Sequence, residues 1–88
     1  MTIQFPNHSR CHDPVRQCVR FSGHDSVFEI LFFVEDTALS RMSPDASRDE
    51  AGYLRVFDAN RDRILEVAGK LYAGRHGAPY MIGAANLC

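Results

Sequence analysis

Val15-Arg16-Gln17-Cys18-Val19-Arg20-Phe21, then Ser22-Gly23-His24-Asp25, then Ser26-Val27-Phe28-Glu29-Ile30-Leu31-Phe32-Phe33-Val34, is the stretch that decides the fold. From Val15 to Phe21 the apolar period is two. Val15, Gln17, Val19 and Phe21 share one face, and Arg16, Cys18 and Arg20 share the other, as in a half-buried strand with a wet side. Ser22 to Asp25 reads as a turn, with Gly23 supplying positive φ. Ser26 to Val34 reads as a second, more apolar strand, and the two strands make a β-hairpin.

Outward from the hairpin, Asp36 is placed to cap a short helix over residues 37–42, which Ser43-Pro44 ends. Ser47-Arg48-Asp49-Glu50 fits the S-x-x-E capping box, and no proline follows until Pro79. Leu54, Phe57, Arg61, Ile64, Leu65, Ala68, Leu71 and Tyr72 recur at spacings of three and four, one face of a helix. The pattern predicts a helix over residues 48–73, about 39 Å long at 1.5 Å per residue, with Gly74 as its terminator. Glu66 and Lys70 add a favourably oriented i,i+4 pair.

Toward the other end, Ile3 and Phe5 alternate with polar neighbours, so residues 2–5 read as a short edge strand stopped by Pro6. Asn7 to Pro14 reads as a polar loop with a turn at Asp13-Pro14. Arg75 to Pro79 is a second loop, and Tyr80 to Ala85 a weak final strand. The order β, β, β, α, α, β predicts one α+β domain over residues 1–88. A small antiparallel sheet, the hairpin plus additional strands, packs in two layers against one long and one short helix.

The 88 residues suit a single domain. The longest apolar run, Ile30 to Val34, is five residues where a membrane span needs about 20, so no membrane association is expected. Ten basic residues stand against eleven acidic ones, net −1, and the balance is even along the chain. Residues 1–44 carry four Arg and five carboxylates, and residues 45–88 carry six basic and six acidic groups. Phosphate-backbone binding needs a basic stripe, and none is visible, so no nucleic-acid partner is expected. The N-terminal residues lack the basic start and long apolar core of an export signal. Cys11, Cys18 and Cys88 cannot pair completely within one chain. Reduced thiols in a cytoplasm are therefore expected, with Cys88 prone to an adventitious intermolecular disulfide.

Four places could carry chemistry, and each has a structural reading beside the functional one. His8, Cys11, His12 and Cys18 are metal-competent within eleven residues, but H-x2-C-H followed by a strand cysteine is not the paired spacing of a tetrahedral zinc site. The expectation is a polar loop, with no metal and no cofactor. Arg61 falls on the apolar stripe of the long helix and needs a partner. It either sits at the stripe's edge and snorkels, or pairs structurally with Glu29, Glu35 or Asp58, or forks a carboxylate or phosphate from outside. His24-Asp25 could be a base with its orienting carboxylate, but adjacent side chains near a turn diverge, and turn chemistry is the better account. Gly52 and Gly69 sit inside the helix, where each costs about 1 kcal/mol relative to Ala, so either can mark close backbone approach. Phe28, Phe32 and Phe33 fall on both faces of the second strand. The face away from the helix is then covered either by the remaining short helix and loops or by another chain, a homodimer.

No glycine-rich phosphate loop, G-x-S-x-G, H-E-x-x-H or C-x-x-C is present. Phe5-Pro6, then Val19-x-Phe21-x-Gly23-x-Asp25, then the apolar strand and the helix pattern Phe57-x3-Arg61-x2-Ile64-x3-Ala68-x3-Tyr72 resemble the domain of unknown function 1488 family of small bacterial proteins. The resemblance covers nearly the whole chain. It implies a compact α+β domain and carries no activity, substrate or catalytic residue with it. The expected role is a non-catalytic cytoplasmic interaction or accessory domain with an unidentified protein partner. The alternative is a small-ligand or anion-binding sensor that uses Arg61.

Overall fold

The computed structural model describes residues 3–6 and 8–87. The expectations for Thr2 in the edge strand, Asn7 in the loop and Cys88 as a terminal thiol lie outside those residues. The hairpin is present, but its turn is displaced. β1 (Cys11–Asp13), β2 (Cys18–Asp25) and β3 (Phe28–Glu35) are antiparallel neighbours, and β2 and β3 meet through a two-residue turn at Ser26-Val27, with Ser26 at φ 57°. The register runs from Cys18 opposite Glu35 to Asp25 opposite Phe28. Residues 22–25, expected as the turn, are therefore the last half of β2. Val15 and Gln17, expected in the strand, precede it; Val15 is 90% exposed and Gln17 has φ 54°.

Gly23 explains the displacement. It is inside the strand, and a Cβ built on it would lie 2.7 Å from Phe5 Cε1 and 3.0 Å from Ile3 Cδ1. The glycine is there for close approach, not for a turn. Gln4 and His24 exchange backbone hydrogen bonds of 2.9 and 2.7 Å, an isolated bridge where an edge strand was expected; it still lays Ile3 and Phe5 over the apolar face of β2 as their alternation predicts, while the additional antiparallel strand is β1, within the stretch expected as a polar loop. The Asp13-Pro14 turn forms as expected. Asp13 Oδ1 accepts from the amides of Arg16 and Val15, and the Arg16 amide foremost, then the Arg16 guanidinium on Oδ2, hold its carboxyl below the usual range.

After β3 come α1 (Asp36–Met42), α2 (Glu50–Ala59), α3 (Arg61–Leu71), β4 (Tyr80–Ile82) and α4 (Ala84–Leu87). The helix expected over residues 48–73 is two helices. At Asn60 (φ −118°, ψ 20°) the side-chain amide donates to Val56 O at 2.9 Å, and the residue serves as C-cap of one helix and N-cap of the next. A side chain that bonds its own backbone competes with helix continuation. Length gives the same answer: the molecule extends only 37 Å along its longest axis, so a straight 39 Å helix would project beyond the sheet.

The cap of α2 is also shifted. Asp49 Oδ1 accepts from Gly52 N at 2.8 Å and from Ser47 Oγ at 3.0 Å, so the aspartate holds the position expected of Ser47. Gly52 does mark a close approach, since a Cβ there would lie 1.9 Å from Ser47 O; Gly69 does not, with Ile3 Cγ2 no nearer than 3.9 Å.

The final strand is real but runs parallel to β3, pairing Phe32 with Tyr80 and Val34 with Ile82, and α4 replaces its predicted second half. The α+β class and the two layers hold. The sheet is mixed, in the order β1-β2-β3-β4, and among the described residues four helices stand where two were expected. Val19, Phe21, Ile30, Phe32, Val34, Tyr80 and Ile82 from the sheet meet Ala38, Leu39, Val56, Phe57, Ile64 and Ala68 from the helices in one buried cluster. No described helix is long and apolar enough to cross a membrane.

Candidate functional site

The metal-competent residues of the N-terminal segment are not gathered. Cys18 is fully buried in the sheet, where desolvation pushes its thiol up, and Cys11 is exposed. His8 presents its backbone carbonyl to Arg61. Among the described residues no three His, Cys, Asp or Glu side chains are placed to share an ion.

Arg61 has internal partners. Its Nη2 donates to Asp58 Oδ1 at 3.2 Å and to His8 O at 3.0 Å, and its guanidinium lies 5.0 Å from the Phe57 ring centre. Asp58 also accepts two bonds from Arg10, 2.9 Å from Nε and 2.8 Å from Nη2. Arg10 foremost, with Arg61 behind it, holds the Asp58 carboxyl below the usual range. Of the three structural partners expected for Arg61, Asp58 is the one in contact. The two arginines tie residues 8–10 to the junction between α2 and α3.

His24 and Asp25 diverge, as expected of neighbours on a strand. Asp25 instead accepts from the Tyr72 hydroxyl, while His76 Nε2 lies 3.0 Å from that hydroxyl and 3.8 Å from Asp25 Oδ2. The Phe28 ring stacks on His76 with centroids 4.1 Å apart. Burial, and then the Asp25 carboxylate, push the Tyr72 phenol up to about 12, so it stays a protonated donor at neutral pH. This cluster fastens the loop after α3 to the end of the hairpin. Forty-seven residues separate Asp25 from Tyr72, and no local signal joins them.

A second polar cluster is more deeply set. His12 points inward from β1, and its Nε2 lies 2.9 Å from Asp36 Oδ2 at the start of α1. The two side chains are only 7% and 10% exposed. The imidazole stacks on Tyr53 of α2, with centroids 5.3 Å apart and an interplanar angle of 21°. Asp36, expected to cap α1, gives its carboxylate to His12 instead, and its amide donates to Gln17 O. His12 Nδ1 and Asp36 Oδ1 are buried without a hydrogen-bond partner among the described residues. A buried polar atom left unpaired costs about 1–3 kcal/mol, so two together need a reason. Asp36 also lines an open cavity of about 350 Å³ with Gln17, Thr37, Ser40, Arg41, Arg48 and Tyr53.

The third feature is the sheet face turned away from the helices. Cross-strand neighbours there are Arg20 and Phe33, Ser22 and Leu31, His24 and Glu29, with Met81 beside Phe33. Phe33 is buried beneath the Arg16 guanidinium, 5.7 Å from its ring centre, so a loop covers that aromatic residue. Leu31 is 36% and Met81 50% exposed, and no helix covers them. A shallow depression of about 420 Å³ on this side is lined by Arg10, Cys11, Arg20, Ser22, Glu29 and Leu31, among others.

A family described as protein of unknown function (DUF1488) matches residues 3–82. The fold is similar to the crystal structure of a protein of unknown function of that family from Shewanella loihica PV-4, with a TM-score of 0.77 and 16% identity, over 91% of this chain and 90% of that one. No curated protein matches.

Proposed function

The chain belongs to the DUF1488 family of proteins of unknown function, and from that premise we propose that it is a non-catalytic interaction domain whose open sheet face docks a second copy of itself. The observation that carries this reading is the arrangement of Arg20, Leu31 and Glu29 on that face. Leu31 is an exposed apolar centre, and Arg20 and Glu29 flank it on neighbouring strands. Neither charge is in an ion pair with another described residue. A twofold axis in the interface, passing between Ser22 and Leu31, carries Arg20 onto the partner subunit's Glu29 and Glu29 onto the partner subunit's Arg20. Such self-complementarity is what an isologous interface requires.

Two strands of eight residues and two of three give a face on the order of 350 Å², from about 3.3 Å per residue and about 4.8 Å between strands. That is less than the roughly 800 Å² per partner of a standard interface, so the dimer is weak and concentration-dependent. The two clusters closest to catalytic chemistry, Asp25-Tyr72-His76 and His12-Asp36, are each engaged in joining elements, which favours binding over turnover. Cys11 and Cys18, both unpaired, fit a cytoplasmic setting, and the Shewanella relative fits a bacterial one.

Sedimentation velocity over a concentration series tests the reading. The expected result is a reversible dimer that Arg20→Glu dissociates and that the double reversal Arg20→Glu, Glu29→Arg restores. A monomer throughout the series, or a dimer indifferent to Arg20→Glu and to Leu31→Asp, overturns it.

A further inference from the structure

The open sheet face carries a group that can control its use. We propose that proton uptake at His24 governs the association, the face pairing with a second copy while the imidazole is neutral and parting from it once the imidazole is charged; this rests on the dimer proposed above. Of the four histidines, His24 alone has a strand position on that face, since His12 points inward from β1 to Asp36 and His76 lies in the loop after α3. His8 precedes β1. Across the β2-β3 ladder His24 is directly opposite Glu29, and Arg20 is directly opposite Phe33. The twofold axis that carries Arg20 onto the partner subunit's Glu29 therefore carries His24 onto the partner subunit's Phe33. His24 and Glu29 thus meet the partner subunit's Phe33 and the partner subunit's Arg20 in one row, which the axis repeats.

Within its own chain His24 faces Glu29 on β3 and follows Arg20 and Ser22 along β2. Gln4, its bridge partner on the side away from β3, is uncharged, and Asp25 is turned to Tyr72. Arg16 covers Phe33 at 5.7 Å from the ring centre and pairs with Asp13 at 3.1 Å, so His24 approaches the partner subunit's Arg16 as well. With His24 neutral the row is balanced, Glu29 against the partner subunit's Arg20 and each Arg16 against its own Asp13. A proton on His24 adds a cation that faces the partner subunit's Arg16 and draws Glu29 away from the partner subunit's Arg20. That charge also loses water, because His24 is partly exposed in one copy and covered in two, and desolvation disfavours the charged form. The three effects agree. Two copies together bind fewer protons than the same copies apart, so association weakens as pH falls. Imidazole is the side chain that changes charge between pH 5 and 8. With one His24 from each copy, the dissociation constant can change by up to about a hundredfold per pH unit.

The test is sedimentation velocity of the full chain over a concentration series at about pH 8 and about pH 5.5, at one ionic strength. The dissociation constant is expected to be about tenfold or more higher at the acid value. His24→Gln, which stays neutral, is expected to associate at the acid value as the unsubstituted chain does at the alkaline one. His24→Lys, which stays charged, is expected to be mostly monomeric at both. The two substitutions are independent, so either decides the question if the other does not fold. A dimer equally tight at both values overturns the proposal and leaves the dimer standing. So does a pH dependence that survives His24→Gln, or a His24→Lys dimer as tight as the original. Monomers at both values overturn the dimer and its control together.

Discussion

Gly23 lies beneath Phe5 with no room for a side chain, a Cβ there falling 2.7 Å from the ring. The N-terminal residues thus reach the core through the backbone of the central hairpin. Gly23→Ala is expected to destabilise by about 1–2 kcal/mol, because the ring must shift out of its contacts with Phe21 and Phe32. Urea unfolding gives the magnitude. Hydrogen exchange at the Gln4 and His24 amides should quicken with it, since their mutual bonds depend on that seat.

Gly52 offers a reversal of the usual preference. In an exposed helix Ala is favoured over Gly by about 1 kcal/mol. Here the added methyl would lie 1.9 Å from Ser47 O, a backbone atom. Gly52→Ala is expected to cost about 3 kcal/mol and to loosen the Asp49 cap, whereas Gly69→Ala, with nothing nearer than 3.9 Å, should gain stability. Equal effects at the two positions in denaturant melts would contradict the packing described for α2.

His12 and Asp36 are interdependent. Asp36→Ala strands a buried imidazole and should cost about 2–3 kcal/mol. Combining it with His12→Ala should cost clearly less than the two single changes together, a double-mutant cycle that thermal or chemical melts can close.

Arg61→Leu removes the contacts to Asp58 and His8 and should lower stability by about 1 kcal/mol. Hydrogen exchange should show residues 8–10 released first. Asp58 connects this to pH. Its carboxyl is lowered in the fold, so its contribution is fully present above the unfolded carboxylate range near 3.9 and is lost as pH falls through the lower folded value. With Asp58 nearly half exposed the effect is small. Asp58→Asn should flatten the acid side of the stability curve measured by urea unfolding.

Tyr72 has the opposite sign. Its phenol is raised to about 12, so its contribution is present below the unfolded value near 10 and is lost between there and about 12. Alkaline unfolding should therefore release the Asp25 end of the hairpin, and Tyr72→Phe should remove that alkaline step.

The hairpin, the apolar stripe and the two layers were legible because each rests on local periodicity. The register was not. Gly23 looks like a turn residue until Phe5, eighteen positions away, is seen above it. Leu54 to Tyr72 keep one helical phase across Asn60, so the break leaves no mark in the apolar pattern; only the asparagine signals it. The direction of β4 depends on how the chain crosses the helical layer, which Tyr80-Met81-Ile82 does not encode. The buried His12-Asp36 pair was hidden for the same reason. His12 stood out as a metal-competent loop residue and Asp36 as a helix cap, and only the fold brings them within 2.9 Å.

The parallel pairing of β4 with β3 also orders events in time. β2 and β3 are joined by two residues, whereas 44 residues, 36–79, separate β3 from β4. Closing the longer loop costs about 3 kcal/mol more in chain entropy. During synthesis the hairpin therefore has all it needs while the C-terminal strand is still unmade, and the edge of β3 stays open until Tyr80-Met81-Ile82 arrives. The interval in which that apolar edge is unprotected is set by the speed of translation through the helices, and slowing it should favour misassociation of nascent chains.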